Sequence, residues 1–304
     1  LYHISKALSL NLISNASYRK QKAPGTLSSS VDPVSGEVKR DFDINPYSYA
    51  LNTSRTLDPD AYYVRNYAPF NILHELDNNY IDLNVTDLKF QGELKWKPIH
   101  KIELSALGAY KTSMTTQSHT IKDYSNQAWA FRAMDDATMR QANPWLYTDP
   151  ENANTLPVSV LPVGGFYRET KYSMDSYDFR GTASYNDVYN ENHIFNFFGG
   201  MEINAVNRQR TWFNGVGMQY EMGMLPAYEY QYFKQGSEEN AQYYTVERTR
   251  QREVSFFGTA TYSYQGKYTL NGTLRYEGSN KLGKSRSARW LPTWNLSAAW
   301  NAHE

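Results

Sequence analysis

The distribution of apolar residues along the chain predicts β-strands, because apolar and polar positions alternate over short stretches. The clearest stretch is 88–97, where Leu, Phe, Gly, Leu and Trp alternate with Lys, Gln, Glu, Lys and Lys. Successive side chains of a strand point to opposite faces of its sheet, so this segment predicts one apolar and one polar face. The same alternation predicts eight strands, at about 3–18, 88–97, 102–111, 177–186, 195–204, 254–264, 268–276 and 294–301.

The faces of these strands follow from the alternation. We expect one face to be apolar and to point to lipid, with Leu94, Leu104, Gly181, Phe197, Leu270 and Leu296 on it. The opposite face is polar and is expected to point inward, with Glu93, Glu103, Arg180, Thr269 and Asn295 on it. Phe198 is an exception, since it falls on the polar face.

The connections between the predicted strands alternate between short and long. Tight turns are predicted near Pro98, Asn190 and Gln265, and a medium connection at 278–289 precedes the last strand. Up-and-down outer-membrane barrels place short turns on one rim and long loops on the other. A Greek-key sandwich has no reason to alternate so regularly. The long insertions are predicted at 20–82, 112–173 and 207–250.

Aromatic rings lie towards the ends of the strands, with small or aliphatic residues between them. The two interfaces of a bilayer select amphipathic rings at both edges of an apolar band. Tilted by about 40°, a segment such as 88–96 spans roughly 23 Å, close to the apolar height of an outer-membrane barrel. The predicted fold is therefore an all-β, antiparallel, up-and-down transmembrane barrel segment. Its predicted interface belt comprises Trp96, Tyr110, Tyr185, Tyr264, Tyr268, Tyr276 and Trp300.

Composition limits the alternatives. The mean hydropathy is negative, and no run approaches 18 consecutive apolar residues, so a membrane-spanning helix is not expected. Lys+Arg and Asp+Glu balance at 31 each, which removes the electrostatic case for nucleic acid. The chain has no cysteine, which excludes disulfides and thiol chemistry. Its six histidines have no metal-ligand spacing and no Gly-x-Ser-x-Gly motif occurs, so we expect neither enzymatic activity, nor a metal, nor a cofactor.

The predicted long loops are rich in Tyr and Trp. Such rings can stack on sugar rings or pack against peptides. The alternative is that they pack loop against loop, which stabilises long insertions. A short helix is predicted at 125–140, where breakers are few and Asn143-Pro144 gives a stop. The loop aromatics predicted to bind substrate are Trp129, Trp145, Tyr147, Trp212, Tyr228 and Tyr230.

The segment Lys267–Trp300, KYTLNGTLRYEGSNKLGKSRSARWLPTWNLSAAW, resembles a signature of the SusC/RagA-type TonB-dependent transporters of Bacteroidetes. That signature is a Lys-Tyr strand, an Arg-Asp-Gly-Ser-Ser-x-Phe-Gly loop, and a Pro-Ser strand ending in Gly-Trp. Glu277, Asn280, Leu282, Thr293 and Ala299 depart from it. The matching residues are Arg275, Gly278, Ser279, Gly283, Pro292 and Trp300.

The resemblance implies that residues 1–304 are one part of a single barrel domain, taken from the middle of a larger barrel of 22 strands. The plug domain and the signal peptide of such transporters are expected to lie outside this sequence. The implied function is active import of oligosaccharides or oligopeptides across the outer membrane of a Gram-negative, Bacteroidetes-like cell. The implied partners are a SusD-like surface lipoprotein and, through the plug region, the TonB complex.

Two other functions remain open at this point. A passive porin or a barrel adhesin would share the strands and lack a plug. A secreted β-sandwich that binds glycans would also alternate along its strands, although its connections would be arranged differently. The sequence leaves the choice between saccharide and peptide substrates open.

Overall fold

The computed structural model describes residues 2–25, 27–31, 38–41, 44–66, 68–132, 137, 140, 143, 145–152, 154–283, 285 and 289–302. Its main feature is one antiparallel sheet in which eight long strands pair in sequence order. We call these strands one to eight. Their bounds are Leu8–Pro24, Asn79–Ile99, Ile102–Ile121, Gly165–Tyr189, His193–Gln219, Tyr244–Tyr264, Tyr268–Ser279 and Trp290–Trp300.

The sheet is an open meander. Every long strand is antiparallel to the next, which confirms the predicted up-and-down topology. In the described part of the chain, strand eight pairs only with strand seven, while the outer edge of strand one is met by Tyr2–His3. Leu225–Pro226 adds a short pairing to strand five. Strand order without crossovers is incompatible with a Greek-key sandwich.

The short turns lie where they are predicted. Asn190 and Glu191, between strands four and five, have φ of 54° and 60°. Gln265 and Gly266, between strands six and seven, have φ of 55° and 69°. Positive φ at successive residues is the geometry that reverses a two-stranded ribbon within a few residues. The turn between strands two and three follows Ile99.

The strands are much longer than predicted. Strand five ends at Gln219 instead of near 204, and strand four begins at Gly165 instead of near 177. Strand one begins at Leu8, because residues 4–7 turn the chain between Tyr2–His3 and this strand. The insertions are correspondingly shorter than predicted: insertion one is 25–78, insertion two is 122–164 and insertion three is 220–243.

In the residues that the structure describes, the insertions contain four short helices, of which only one was predicted. They are α1 (Pro46–Asn52), α2 (Ile72–Asn78), α3 (Asn126–Arg132) and α4 (Tyr230–Glu238). Side-chain caps mark the N-termini of α1 and α2. The Asn45 side chain accepts a hydrogen bond from the Ser48 N–H, and the Asn71 side chain accepts one from the His74 N–H, each at 3.1 Å. Helix α3 replaces the first half of the predicted helix at 125–140, while 133–136, 138 and 139 lie outside the described residues. No helix in the described ranges is long and apolar enough to cross a membrane.

Apart from Leu225–Pro226, the described parts of the insertions also contain a 3₁₀ helix and three small hairpins. The 3₁₀ helix is Tyr220–Met222, directly after strand five. The hairpins pair Leu27–Val31 with Val38–Asp41, Tyr63–Arg65 with Ala68–Phe70, and Leu146–Tyr147 with Val158–Ser159.

The strand register aligns residues of the same predicted face across neighbouring strands. Residues directly opposite one another in a sheet share a face. One row of such partners is Leu94, Ala106, Gly181, Met201, Phe256 and Tyr276. A row on the other face is Glu103, Ser184, Phe198, Thr259, Thr273 and Asn295. We call these the apolar face and the polar face, and the predicted assignment of residues to two faces is confirmed.

The character of both faces changes along the strands. On the apolar face, strand six is apolar from Tyr264 to Val254, and its next positions towards the insertions are Arg252, Arg250 and Arg248. On the polar face, the change is opposite: Ile121, Phe166 and Val216 lie under the insertions and are 0%, 0% and 1% exposed. The apolar surface is thus a band that ends well before the strands do.

The apolar band runs obliquely across the sheet. On strand two it extends from Trp96 to Leu88, and the register partners of its Trp96 and Gly92 on strand six are Gly258 and Val254. From strand two to strand six, the edges of the band therefore shift by four to six residues, which is about 13–20 Å along the strands. The same four strand spacings measure about 19 Å across the sheet. That is an inclination of about 35–45°, the tilt of strands in an outer-membrane barrel.

The close approach of strands four and five at Gly200 can be tested by substitution. A Cβ at Gly200 would collide with the backbone carbonyl oxygen of Gly181, whereas a Cβ at Gly108 would meet nothing within 4 Å. We expect Gly200→Ala to lower the stability of the sheet by about 1–3 kcal/mol, and Gly108→Ala to be nearly neutral. Thermal unfolding followed by circular dichroism measures both. Equal midpoints for the two variants would contradict this strand packing.

Candidate binding site

The insertions pack on the polar face at the end of the strands. Ile121, Phe166 and Val216, from three adjacent strands, form a buried apolar platform with Ala128 of α3 and Leu161. Trp145 packs on it, with its ring centroid 5.1 Å from that of Phe166. Tyr232 of α4 adds to the same cluster. Insertions two and three are therefore held on one common base.

Insertion one is joined to insertion two by a buried amide. The Asn126 side chain donates to the carbonyl oxygens of Arg65 at 2.7 Å and of Ala68 and Pro69 at 3.1 Å each. The backbone N–H of Asn126 donates to Glu75 Oε1 at 2.7 Å. These bonds satisfy backbone groups that would otherwise be buried without partners. They tie α3 to the hairpin and helix of insertion one.

The Glu75 side chain is the least accessible carboxylate of this junction, at 1% exposure. Burial raises the pKa of Glu75 to about 7, against the lowering effects of the Asn126 N–H and of Arg65. His74 Nδ1 lies 3.5 Å from Glu75 Oε1, and burial lowers the pKa of His74. The junction thus contains a carboxyl group that titrates near neutral pH.

A second polar chain lies beneath this junction. His119 Nε2 is 2.7 Å from Asn79 Oδ1, and Asn79 Nδ2 donates to Gln127 Oε1 at 3.4 Å. Because the amide oxygen can only accept, Nε2 carries the proton of His119. Gly25 N–H also donates to the Asn79 carbonyl, at 2.9 Å. The ends of strands one, two and three are joined here to α3.

Insertion three forms a cleft of about 670 Å³ against the end of strand five. Trp212 and Asn214 come from strand five, where their spacing of two places both on the polar face. Helix α4 contributes Tyr232 and Phe233 to the lining. The lining residues are Trp145, Trp212, Asn214, Tyr232, Phe233, Gln235, Gly236, Ser237, Glu239, Asn240, Ala241, Gln242, Tyr243 and Tyr244.

The cleft combines aromatic walls with amide groups. The ring centroid of Phe233 lies 5.4 Å from that of Tyr243, and Tyr228 stacks on Tyr232 at 6.3 Å and 8°. Burial raises the pKa of Tyr232 to about 12, so its hydroxyl stays protonated and donates to Asn214 O at 3.3 Å. A few convergent polar groups in an aromatic cavity of this size suit a small ligand or a segment of a larger one.

The six predicted loop aromatics separate in the structure. Trp145 and Trp212 line the cleft. Tyr228 stacks on Tyr232, which is itself a lining residue. Trp212 was predicted in a loop; it lies on strand five instead, because this strand continues to Gln219.

The other predicted rings lie outside the cleft. Tyr230 is 72% exposed on α4. Tyr147 is buried and donates to Glu238 Oε1 at 3.3 Å. Trp129 is on α3, beside Tyr124. Binding roles for all six rings remain predictions.

Several lining residues were missed from the sequence. Asn214, Tyr243 and Tyr244 line the cleft and were not singled out, since all three fall within the predicted insertion 207–250. The two-residue spacing of Trp212 and Asn214 was the available signal, because such a pair shares a face once the strand is known to extend.

The seven residues of the predicted belt all lie on the apolar face. Trp300 is opposite Tyr268, which is opposite Tyr264, on the rim of the short turns. Tyr110 is opposite Tyr177 near the other edge of the band, and their ring centroids are 5.1 Å apart. Tyr185 donates to Asp187 Oδ2 at 2.7 Å. Within the described ranges, no group of three or more His, Cys, Asp or Glu residues could hold a metal ion.

Comparison with known proteins yields structural matches only. No family model and no curated protein matches the sequence. The RagAB peptide transporter matches with a TM-score of 0.58 at 14% identity. The RagAB peptide importer matches in its open-open state with 0.61 at 13% identity, and in its closed-closed state with 0.59 at 16%.

Each of these alignments covers 97% of this chain and 28% of the matched chain. The chain therefore spans about 28% of the length of these transporter chains. At such identities the likeness shows a common fold: long antiparallel strands in sequence order with large insertions at one end.

The buried Glu75 carboxyl leads to a pH-dependent prediction. Its pKa is about 7 in the folded protein and about 4.3 in an unfolded chain. The folded state therefore binds more protons between these values, and the stability of the junction falls as pH rises from about 4.5 to 7. At pH 8 we expect Glu75→Gln to stabilise the junction by roughly 3 kcal/mol, and at pH 4 to have little effect.

Hydrogen exchange of residues 122–132 at the two pH values measures this effect. Slower exchange of Glu75→Gln at pH 8 is the expected result. Glu103→Gln is the control, since Glu103 is partly exposed and pairs with Lys97 at 2.9 Å. Faster exchange of Glu75→Gln at pH 8 would mean that the ionised carboxylate stabilises the junction.

Proposed function

We propose that this chain forms part of the wall of an outer-membrane importer of the TonB-dependent SusC/RagA type. The observation that carries the proposal is the oblique apolar band. A soluble sheet has no reason to expose a continuous apolar surface whose edges cross the strands obliquely. The likeness of the fold to RagAB transporter chains supports the same conclusion.

The dimensions of the band support insertion into a membrane. It covers 88–96 on strand two and 254–264 on strand six. At an inclination of about 40° these segments span roughly 23–28 Å, against about 25 Å for the apolar band of outer-membrane barrels. Below the band lie the short turns, and above it the strands extend into water with the insertions on their polar face. The polar face is then the inner face, and the insertions are extracellular.

The proposed transport role places the cleft of insertion three on the path of the substrate. Its aromatic walls and amides suit oligopeptides and oligosaccharides alike. Uptake would proceed by gating, with no covalent step. A SusD-like lipoprotein would cover the insertions, and the TonB complex would act through a plug region of the whole protein.

A passive porin or barrel adhesin is the second candidate. It would share the band and the insertions, and differ in having no plug. A secreted glycan-binding sandwich is disfavoured, because the eight long strands form one meander. Energy-dependent uptake, abolished by removing TonB, distinguishes an importer from a porin.

The orientation of the faces gives the first test. Leu270 lies on the apolar face and is 48% exposed, while the adjacent Thr269 donates to Ser263 Oγ at 3.0 Å on the polar face. An Arg near the bilayer midplane costs about 2–4 kcal/mol. We expect Leu270→Arg to impair folding into lipid vesicles by about this amount, and Thr269→Arg to fold almost normally. Equal sensitivity of the two variants would contradict the assignment of faces.

The cleft gives the second test, made in cells that depend on the native substrate. Trp212→Ala is expected to reduce uptake about ten-fold or more, since stacking and burial of one ring contribute about 1–3 kcal/mol. Trp129→Ala is the comparison variant, because Trp129 shares the predicted binding role and lies outside the cleft. Both variants should reach the outer membrane in normal amounts. Unchanged uptake by Trp212→Ala would move substrate recognition to another part of the protein or to the lipoprotein.

A further inference from the structure

Beyond the apolar band, strand six separates its charges by sign. Arg248, Arg250 and Arg252 are exposed at alternate positions on the apolar face. The two glutamates of the strand, Glu247 and Glu253, fall on the polar face, because side chains alternate along a strand. We call the three residues the arginine column; they are about 6.6 Å apart along the strand. The column concentrates three like charges on the face that is proposed to meet lipid.

The neighbours of the arginine column are neutral. On strand five, Asn207 is opposite Arg250 and Gln209 is opposite Arg248. On the other side, Asn280 directly follows strand seven, and its Nδ2 donates to the carbonyl oxygen of Arg250 at 2.7 Å. Among the ion pairs of the described residues, none involves the column. Adjacent like charges without an acidic partner cost free energy, which a bound anion would recover.

Amide side chains hold two of the guanidinium groups without neutralising them. Arg252 donates from Nη2 to Asn207 Oδ1 at 2.6 Å, and Arg248 donates from Nε to Gln209 Oε1 at 2.9 Å. The contact with Gln209 uses one of the five N–H donors of Arg248 and leaves its terminal nitrogens for another acceptor. The planar fork of an arginine matches the geometry of a phosphate group. The column is therefore suited to a phosphate ligand.

The column begins at the height of lipid headgroups and rises above them. Val254 is the last apolar residue of the band on strand six. Two residues add about 5 Å of height on a strand inclined by about 40°, which places the three arginines about 5, 10 and 15 Å beyond the band. The polar layer of a phospholipid leaflet is only about 5–7 Å thick. An anionic headgroup that meets the whole column is therefore taller than that of a phospholipid.

An aromatic pair lies beside the lower end of the column. Val254 is opposite Gly278, which is opposite Trp290 on strand eight. The Trp290 ring stacks on Tyr276, with the ring centroids 4.9 Å apart and the planes at 14°. Amphipathic rings of this kind occupy the boundary between acyl chains and headgroups. This edge of the band thus offers contacts to both parts of a lipid.

We propose that the arginine column binds a phosphorylated glycolipid of the leaflet on the insertion side of the membrane. The sugar units give the headgroup the height of the column, and the phosphate accepts charge-assisted hydrogen bonds from the guanidinium groups. The acyl chains lie against the apolar band below Val254, beside Trp290. This inference rests on the proposed membrane orientation of the sheet and is independent of transport.

Lipid titration of the whole purified transporter in detergent, followed by native mass spectrometry, tests the proposal. The probes are monophosphoryl lipid A, the same lipid without its phosphate, and phosphatidylglycerol. We expect the phosphorylated glycolipid to bind about ten-fold more tightly than either of the others. Inorganic phosphate in large excess should not displace it, because the acyl chains also contribute to binding.

Two double variants remove the same charge from opposite faces. Arg248→Gln with Arg250→Gln changes the column and leaves Arg252 in place. Arg208→Gln with Arg210→Gln is the matched control, since both residues are exposed on the polar face of the adjacent strand five. The column variant should bind monophosphoryl lipid A about ten- to thirty-fold less tightly, and the control as tightly as the wild type. If the column variant fails to fold, the wild-type preference for the phosphorylated lipid and its loss in about 1 M salt decide the question.

Four outcomes would overturn the proposal. Equal binding of the two forms of lipid A would exclude recognition of the phosphate, and equal binding of phosphatidylglycerol would exclude recognition of a tall headgroup. Displacement by inorganic phosphate would leave an ion site only. Equal loss of binding in both double variants would assign the effect to the net charge of the protein. Each of these leaves the import function intact, whereas uptake that persists without TonB would contradict the importer and leave the lipid site.

Discussion

The rest of the structure depends on the hydrogen-bonded register of the eight long strands. Side chains alternate between faces with a period of two, so a slip of one residue would exchange the faces of a strand. The partners Gly181 and Met201 keep apolar residues in line, as do Leu104 and Ala183. The register also fixes the oblique band, since its edges are defined only once each strand is aligned with the next. Both the proposed membrane contact and the site follow from it.

Each face of the sheet changes between apolar and polar along the strands, which allows one sheet to lie in two environments. Through the band, the apolar face is exposed and the polar face carries ion pairs such as Arg180 with Glu202. Beyond the band the polar face instead presents Phe166 and Val216, which are covered by the insertions. Apolar burial on that face anchors segments that are otherwise rich in polar residues. The strands thereby extend a rigid wall into the region where a ligand would arrive.

A buried charge marks the place where this packing is least complete. Glu75 is buried at the junction of two insertions. Its ionised form does not increase stability, because desolvation of a charge is costly. Several charges of the sheet are instead paired, such as Arg180 with Glu202 and Lys101 with Asp187. The Glu75 carboxyl is therefore a candidate for titration near neutral pH.

The sequence by itself determined the two-faced strands, their number and order, and the short turns at Asn190 and Gln265. These are local properties, since alternation and turn chemistry act between near neighbours. It did not predict the full strand lengths, because alternation of apolar and polar residues weakens where both faces meet water or insertions. Only the tertiary structure brought Trp212, Tyr232 and Tyr243 into one cleft. Contacts between distant segments depend on register and packing, which the residue pattern of any one segment does not contain.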